Sequence, residues 1–285
     1  MNANLINLLQ NEMSWNTLKI SSIEKLGGLS SENYKVSYNN NNYFVKICTH
    51  NYLHTDRQNE FLIINKAEEI NMAPHLYYFS TTTGNMITDW INGSMPSLND
   101  FSSVEFLSKL VDSLGSFHNL KGEKYFNPFN HIRERINICK NLNLPIPKSI
   151  DMLLNYLTDL EIKLSKTPLI GLCHNDLNAS NIILSNNDLY FVDYEYSSMG
   201  DVFFDLATIS WFLSEKSRKS LLSLYFGEYK NKHYTKLLDY LFVVKFYNAT
   251  WSLLKAKDSN SDYDYLSGAQ MIFKDLLNNN SIRTL

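Results

Sequence analysis

Residues 172–205 read LCHNDLNASNIILSNNDLYFVDYEYSSMGDVFFD, and this stretch decides the fold. The apolar run Leu169–Leu172 predicts a short strand entering a loop that carries Asp176 and, five residues on, Asn181. Ile182–Leu184 and Leu189–Val192 predict two more short strands, with the polar link Ser185–Asp188 turning the chain back between them. Such a hairpin returns Asp193 to the neighbourhood of Asp176 and Asn181. An Asp, an Asn and a second Asp on one sheet edge suit phosphoryl transfer. One carboxylate takes the acceptor's proton, while the amide and the other carboxylate hold a divalent cation against the phosphates. Asp176 alone has a blander reading, an Asx-turn or a helix cap. The spacing of the three argues for chemistry.

The segment HNDLNASN resembles the catalytic loop of kinase-like small-molecule phosphotransferases, and FVDYEYSSMGDVFFDLA resembles the choline/ethanolamine kinase family. The resemblance implies an α+β, bilobal, protein-kinase-like fold, with a small, mainly β lobe over residues 1–90 and a larger helical lobe over 91–285. It implies Asp176 as catalytic base, Asn181 and Asp193 as catalytic metal ligands, and Asp205 as a buried brace of the loop. ATP and Mg²⁺ follow as cofactors.

With 285 residues the chain can bury a large core and form two lobes. The 26 basic and 29 acidic residues leave a formal charge of -3, so no global basic field argues for nucleic acid. Cys48, Cys139 and Cys173 are scattered and odd in number, which excludes a disulfide framework or a Cys-pair metal site. The opening MNANLINLLQNEMSW lacks signal-peptide features, and no apolar run approaches membrane-spanning length. The expectation is a cytoplasmic protein without membrane insertion, monomer or homodimer. Asn39–Asn42 and Asn278–Asn280 are taken as loops.

Upstream, residues 3–13 predict a short helix with Leu5, Leu8 and Leu9 on one side, followed by a strand over Ile20–Leu26. Gly27, Gly28, Ser30 and Ser31 then turn the chain into a second strand, Tyr34–Tyr38. A strand, a Gly/Ser turn and a strand form a flap whose backbone N–H groups can meet phosphates, although a Gly-Gly hairpin is more often only a hairpin. In Tyr43–Ile47, Lys46 alternates with Val45 and Ile47. Asp56–Glu69 predicts a helix with Glu60, Ile64 and Ala67 on one face. A half-buried Glu60 wants a cation, and Lys46 is the expected partner. The resemblance assigns Gly28, Ser30, Ser31, Lys46 and Glu60 to the nucleotide site, with adenine met by the backbone near Asp89–Ile91. Gly93 is expected to free the turn after that hinge. His50 and His54 read as surface histidines.

Ser102 or Ser103 is expected to cap a helix ending near His118, with Phe106, Leu110, Leu114 and Phe117 as its apolar stripe. His118 and His174 read as structural. Ile132–Cys139 and Ile150–Leu164 carry helical periodicity, and Arg133 and Arg135 read as a solvated helix face rather than an anion site. Tyr125–Phe129 is an aromatic link expected to line the acceptor side. Leu206–Leu213, opened by Asp205, reads as a buried helix, and Phe242–Lys257 and Tyr263–Leu277 as a terminal helix pair.

The resemblance implies a small amino-alcohol acceptor met by Asn178, Glu195, Tyr196, Trp211, Tyr247, Trp251 and Tyr265. Glu195 reads as an exposed carboxylate suited to a second metal or a cationic acceptor. An aromatic cage suits a quaternary ammonium, which has no N–H to donate. This chain departs from the family's cage. Asn248 stands where a first Trp is expected, Gly268 replaces an aromatic, and Phe212 takes the place of a Glu. Choline is thereby joined by ethanolamine as a candidate. An aminoglycoside or thiamine-type phosphotransferase, and a nucleotide-binding protein without catalysis, are the alternatives. The step from Asp193 to Asp205 leaves no room for a peptide-docking segment, which argues against a protein kinase.

Overall fold

The computed structural model describes residues 3–28, 31–49, 53–186, 188–257 and 263–278. A short helix, α1 (Ala3–Asn7), continues as a turn of π-helix over Leu8–Glu12. Then come β1 (Ile20–Leu26), β2 (Ser31–Tyr38), β3 (Asn41–Cys48), α2 (Arg57–Glu69), β4 (Leu76–Phe79) and β5 (Met86–Asp89). The five strands form one antiparallel sheet in the order β1-β2-β3-β5-β4. Side chains alternate across a strand. Tyr34, Val36, Val45, Ile47 and Ile87 therefore share a small core with Leu5, Leu8, Leu9 and Trp15 on one side. Lys46, opposite Asn33 on β2 and Met86 on β5, points to the other. Asp56 starts α2 by accepting the Asn59 amide at 3.0 Å.

The larger lobe holds α3 (Val104–His118), α4 (Pro128–Asn141), α5 (Ile150–Leu164), β6 (Ile170–Cys173), β7 (Ile182–Ser185), β8 (Asp188–Phe191), β9 (Ser198–Asp201), α6 (Phe203–Ser210), α7 (Glu215–Phe226), α8 (Asn231–Lys255) and α9 (Tyr265–Leu277). Ser103 caps α3, and α4 begins with Asn127 as cap and Pro128 in the first turn, where a missing N–H costs nothing. β7 and β8 form the expected hairpin, while β6 pairs antiparallel with β9. The architecture is bilobal α+β. β9 and α7 have no counterpart among the predicted elements, and α8 begins at Asn231 rather than Phe242. Residues 242–255 read as helix from their apolar density. The preceding turns, NKHYTKLLDY, are mixed in polarity and helical because Leu237, Tyr240 and Leu241 pack into the core.

That core extends beneath α2, where Ile63, Ile64 and Ala67 join it. Phe117, fully buried, sits against His174, Phe191 and Tyr194, so α3 supports the catalytic-loop region directly. Burying such a ring contributes on the order of 2–3 kcal/mol. The reason for Gly93 is not the one expected. Its φ is not positive, but a Cβ there would stand 2.5 Å from the Leu184 carbonyl oxygen. Beside it, Ser94 and Leu184 exchange two backbone hydrogen bonds, tying the link after β5 to β7. Among the described residues, no helix is long and apolar enough to cross a membrane.

Candidate active site

β6 delivers the chain into His174-Asn175-Asp176, where Asn175 adopts a left-handed backbone (φ +63°). Asp205, in the first turn of α6 and fully buried, accepts the backbone N–H of His174 at 2.7 Å and of Asn175 at 2.8 Å. His118 adds a contact to the same carboxylate at 3.2 Å and meets the Tyr225 hydroxyl through its other nitrogen at 2.6 Å. The His174 ring meets the Val192 carbonyl at 3.0 Å, and Asn175 donates to the Tyr196 carbonyl at 2.9 Å. These bonds offset the cost of burying Asp205 and hold the loop. His118, Cys173 and Asp205 have potential ligand atoms close together, but two are already committed and burial pushes the Cys173 thiol well up. The cluster is a brace rather than a cation site.

The hairpin returns Asp193 as expected, with the Val192 amide bonded to the Asn181 carbonyl at 3.0 Å. Asn181 donates its amide N–H to the Asp176 carbonyl at 2.8 Å and to Asp176 Oδ2 at 3.1 Å. Asn178 donates to Asp176 Oδ1 at 3.3 Å and accepts the Ser180 amide. Burial, then the charges of Asp193 and Glu195, push the Asp176 carboxyl up to about 8. Asp193, also left-handed (φ +67°), accepts Lys46 Nζ on Oδ1 at 2.6 Å. No protein hydrogen bond of the described residues ends on Asp193 Oδ2 or Asn181 Oδ1. Those two hard oxygens fit a Mg²⁺ ion.

Lys46 is 3% exposed. Burial opposes its charge, yet Asp193, Glu195 and Glu60 hold the ammonium well above the ordinary lysine range. The expected direct pairing with Glu60 is not found. Glu60 bonds Arg57 at 2.6 Å, one turn earlier on α2, while Lys46 reaches Asp193. A partner three residues away on the same helix face needs no tertiary reach. Glu195 is not exposed either. Only 7% accessible, it lies 3.3 Å from Arg57 and 3.7 Å from Lys46, and burial with the nearby Asp193 charge pushes it up to about 7. Its surroundings make Glu195 a salt-bridge residue rather than the exposed carboxylate expected.

In the flap, a Cβ on Gly28 would stand 2.6 Å from the Asn33 amide nitrogen, and that amide donates to the Gly27 carbonyl at 3.1 Å. Ser31 donates to Asn33 at 2.9 Å. Ser30 lies outside the described residues, as does His50. At the hinge, Asp89 accepts the Tyr77 hydroxyl at 2.9 Å and the Trp90 amide donates to the Asn42 carbonyl at 3.2 Å. Ile91 is half-buried.

The acceptor candidates divide. Trp251 packs edge-on against Tyr265 at 5.6 Å and lies near the Tyr196 hydroxyl. Trp211 stands apart, stacked on exposed Phe212 and 6.0 Å from Lys245 Nζ. Tyr247 is wrapped by Phe126 and Phe204. Tyr125 itself is 73% exposed. Two surface expectations are overturned. Arg135 is 1% exposed and lies against Tyr247, whereas Arg133 does pair outside, with Glu161 at 2.5 Å. His54 is largely covered because its ring stacks on His131 at 3.6 Å. Arg57 and Arg135 went unread as site residues, though signals existed. Arg57 precedes Glu60 by three residues. Arg135 falls three residues after Ile132 and one before Ile136, on the apolar side of α4.

The family model for choline/ethanolamine kinase matches residues 22–220. A "Protein LicA homolog" of Metamycoplasma hominis is 30% identical over 203 residues, covering 70% of this chain and 77% of that protein. Among solved structures, choline kinase LicA from Streptococcus pneumoniae superposes with a TM-score of 0.79 at 23% identity, covering 95% of this chain and 98% of its own. An ethanolamine kinase from Plasmodium vivax gives 0.82 at 17% identity, covering 99% and 89%. At these identities the two structures establish the fold.

Proposed function

Because the chain belongs to the choline/ethanolamine kinase family, we propose that it transfers the γ-phosphoryl group of ATP to the hydroxyl of choline or ethanolamine, giving the phospho-amino alcohol and ADP. The observation that carries this reading is a run of polar contacts joined through the hairpin backbone. Lys46 bonds Asp193, the hairpin sets Asp193 beside Asn181, and Asn181 bonds Asp176. Asp176 takes the proton of the acceptor hydroxyl as that oxygen bonds to phosphorus. Its carboxylate is kept in place by Asn178 and Asn181, while Asp205 fixes the backbone just before it. Asn181 and Asp193 would hold Mg²⁺, which would offset charge on the transferring group. Lys46 holds ATP phosphates, exchanging a carboxylate partner for a phosphate one. The flap at Gly28 and Ser31 covers the phosphates, and the backbone of Asp89–Ile91 meets adenine. Tyr196, Trp251 and Tyr265 face the amino group.

The test is ADP release by the purified protein with ATP and Mg²⁺, comparing choline, ethanolamine, thiamine and an aminoglycoside. Turnover that depends on choline or ethanolamine supports the reading. Preference for the aminoglycoside or thiamine, or no acceptor-dependent turnover, overturns it.

A further inference from the structure

Arg135 is an unusual buried cation. It is 1% exposed, yet among the described residues no carboxylate lies within ion-pair distance of it. Its hydrogen bonds go to a single residue. One guanidinium nitrogen donates to the Tyr247 hydroxyl at 2.9 Å, another to the Tyr247 carbonyl at 3.4 Å. The guanidinium carbon lies 4.1 Å from the Tyr247 ring centroid, so the cation also covers a ring face. Taking an unpaired charge out of water is costly. Here the ring quadrupole and two oxygens provide the offset.

The consequence for the acceptor side is direct. Tyr247 is 5% exposed, with Phe126 and Phe204 packed edge-on around it at 5.4 Å and 5.6 Å. Arg135 covers one π face, and with Phe126, Phe204 and His131 packed around the rest of the ring no open face is left for a second cation. The field of Arg135 also reaches the Tyr196 hydroxyl, and Asn248 supplies no ring in compensation. What remains is a partial set, Tyr196, Trp251 and Tyr265, with a fixed positive charge near Tyr196. A trimethylammonium group depends on rings alone, since it has no N–H to donate. A primary ammonium can instead donate to the Tyr196 hydroxyl, and so loses less when one ring is withheld.

We infer that Arg135 is a specificity-determining residue for the acceptor. By occupying Tyr247 it withholds that ring from the amino group and biases the enzyme toward a primary ammonium alcohol over a trimethylated one. This inference rests on the amino-alcohol kinase reading.

The experiment measures kcat/KM for ethanolamine and for choline in the wild type, Arg135→Met, Arg135→Gln and Arg135→Lys. The wild type is expected to favour ethanolamine. Arg135→Met frees the ring face and removes the charge, moving the ethanolamine-to-choline ratio toward choline by roughly tenfold, the scale of one cation–π contact. Arg135→Gln keeps donors for Tyr247 without charge and should move the ratio the same way. Arg135→Lys, which keeps the charge, should hold it within about twofold on the same argument, with the KM for ATP unchanged throughout. Should Arg135→Met fail to fold, Arg135→Gln reads the same ratio. A merely structural role would lower both substrates in proportion. A wild-type preference for choline, or an unchanged ratio in a folded charge-free variant, overturns the inference. Wild-type turnover of neither amino alcohol instead overturns the function on which it rests.

Discussion

Lys46 and Arg135 are both buried cations, 3% and 1% exposed, housed in opposite ways. Lys46 stands among Asp193, Glu195 and Glu60, bonded to the first at 2.6 Å. Arg135 has an aromatic ring, a hydroxyl and a carbonyl, all from Tyr247. A cation among carboxylates can exchange one anion for another, as a phosphate-binding lysine must. One held by a ring and neutral oxygens has no such exchange to make and acts as a fixed part of the wall. The nucleotide side is thus built from movable ion pairs, the acceptor side from immobile packing.

The strongest test of that contrast lies in the chemistry. Asp176→Asn should lower turnover by roughly 10²–10⁴-fold, the scale of general acid–base catalysis, with ATP affinity nearly intact. ADP release and nucleotide titration measure the two halves. Near-normal turnover would remove Asp176 from its assigned role.

Next come the two cations themselves. Lys46→Met strands Asp193 beside Glu195 without their shared cation, a change expected to cost about 3–5 kcal/mol of stability. Arg135→Met strands no carboxylate but leaves the buried Tyr247 hydroxyl without its donor, so its cost should be smaller, about 1–3 kcal/mol. Denaturant unfolding of both variants checks the pair. Equal costs would erase the distinction.

A smaller effect is expected at the rings. Trp251→Ala should raise the acceptor KM by roughly thirtyfold, equivalent to about 2 kcal/mol for a desolvated cation–π contact, while leaving the KM for ATP alone. Trp211→Ala, with its ring on Phe212, should leave the acceptor KM within about twofold, since no such contact is lost. Acceptor and ATP titrations of both proteins decide whether Trp251 alone belongs to the acceptor side.

The smallest effect concerns the His54–His131 stack. Burial, then the charges of His54 and Arg135, hold the His131 imidazole down at about 3. Burial and Arg135 also lower His54, against the pull of Glu134. An unfolded imidazole binds its proton near 6.5. Between pH 6.5 and 3 the unfolded chain therefore takes up more protons than the folded one. The stabilisation is present above pH 6.5 and lost as pH falls toward 3. The melting temperature should fall by on the order of a few degrees between pH 7.5 and 5. His131→Phe, which keeps a ring against His54, should flatten that slope. An identical slope in wild type and variant would show that the stack does not titrate in this window.

Much of this was legible in the chain itself. Asp176, Asn181 and Asp193 are separated by one short hairpin, so local spacing sufficed to bring them together. Strand alternation alone turned Lys46 away from Val45 and Ile47, and a serine cap at Ser102 or Ser103 marked where α3 begins. β9 and α7 were not legible, because each takes its conformation from a distant partner. β9 pairs with β6, and α7 packs its buried Leu221 and Leu222 into the core.

The sequence by itself determined the spacing of the phosphotransfer residues and the face on which Lys46 lies, because these follow from period, turn chemistry and short separations, and the fold class came from the resemblance of its central motifs to a known family. Tertiary structure decided which of the possible charge partners meet. Glu60 took Arg57 and left Lys46 to Asp193, and Arg135 turned inward onto Tyr247, 112 residues away. A charged side chain is long enough to choose among several partners. The choice depends on where burial removes water, and burial is a property of the packed chain rather than of any local stretch.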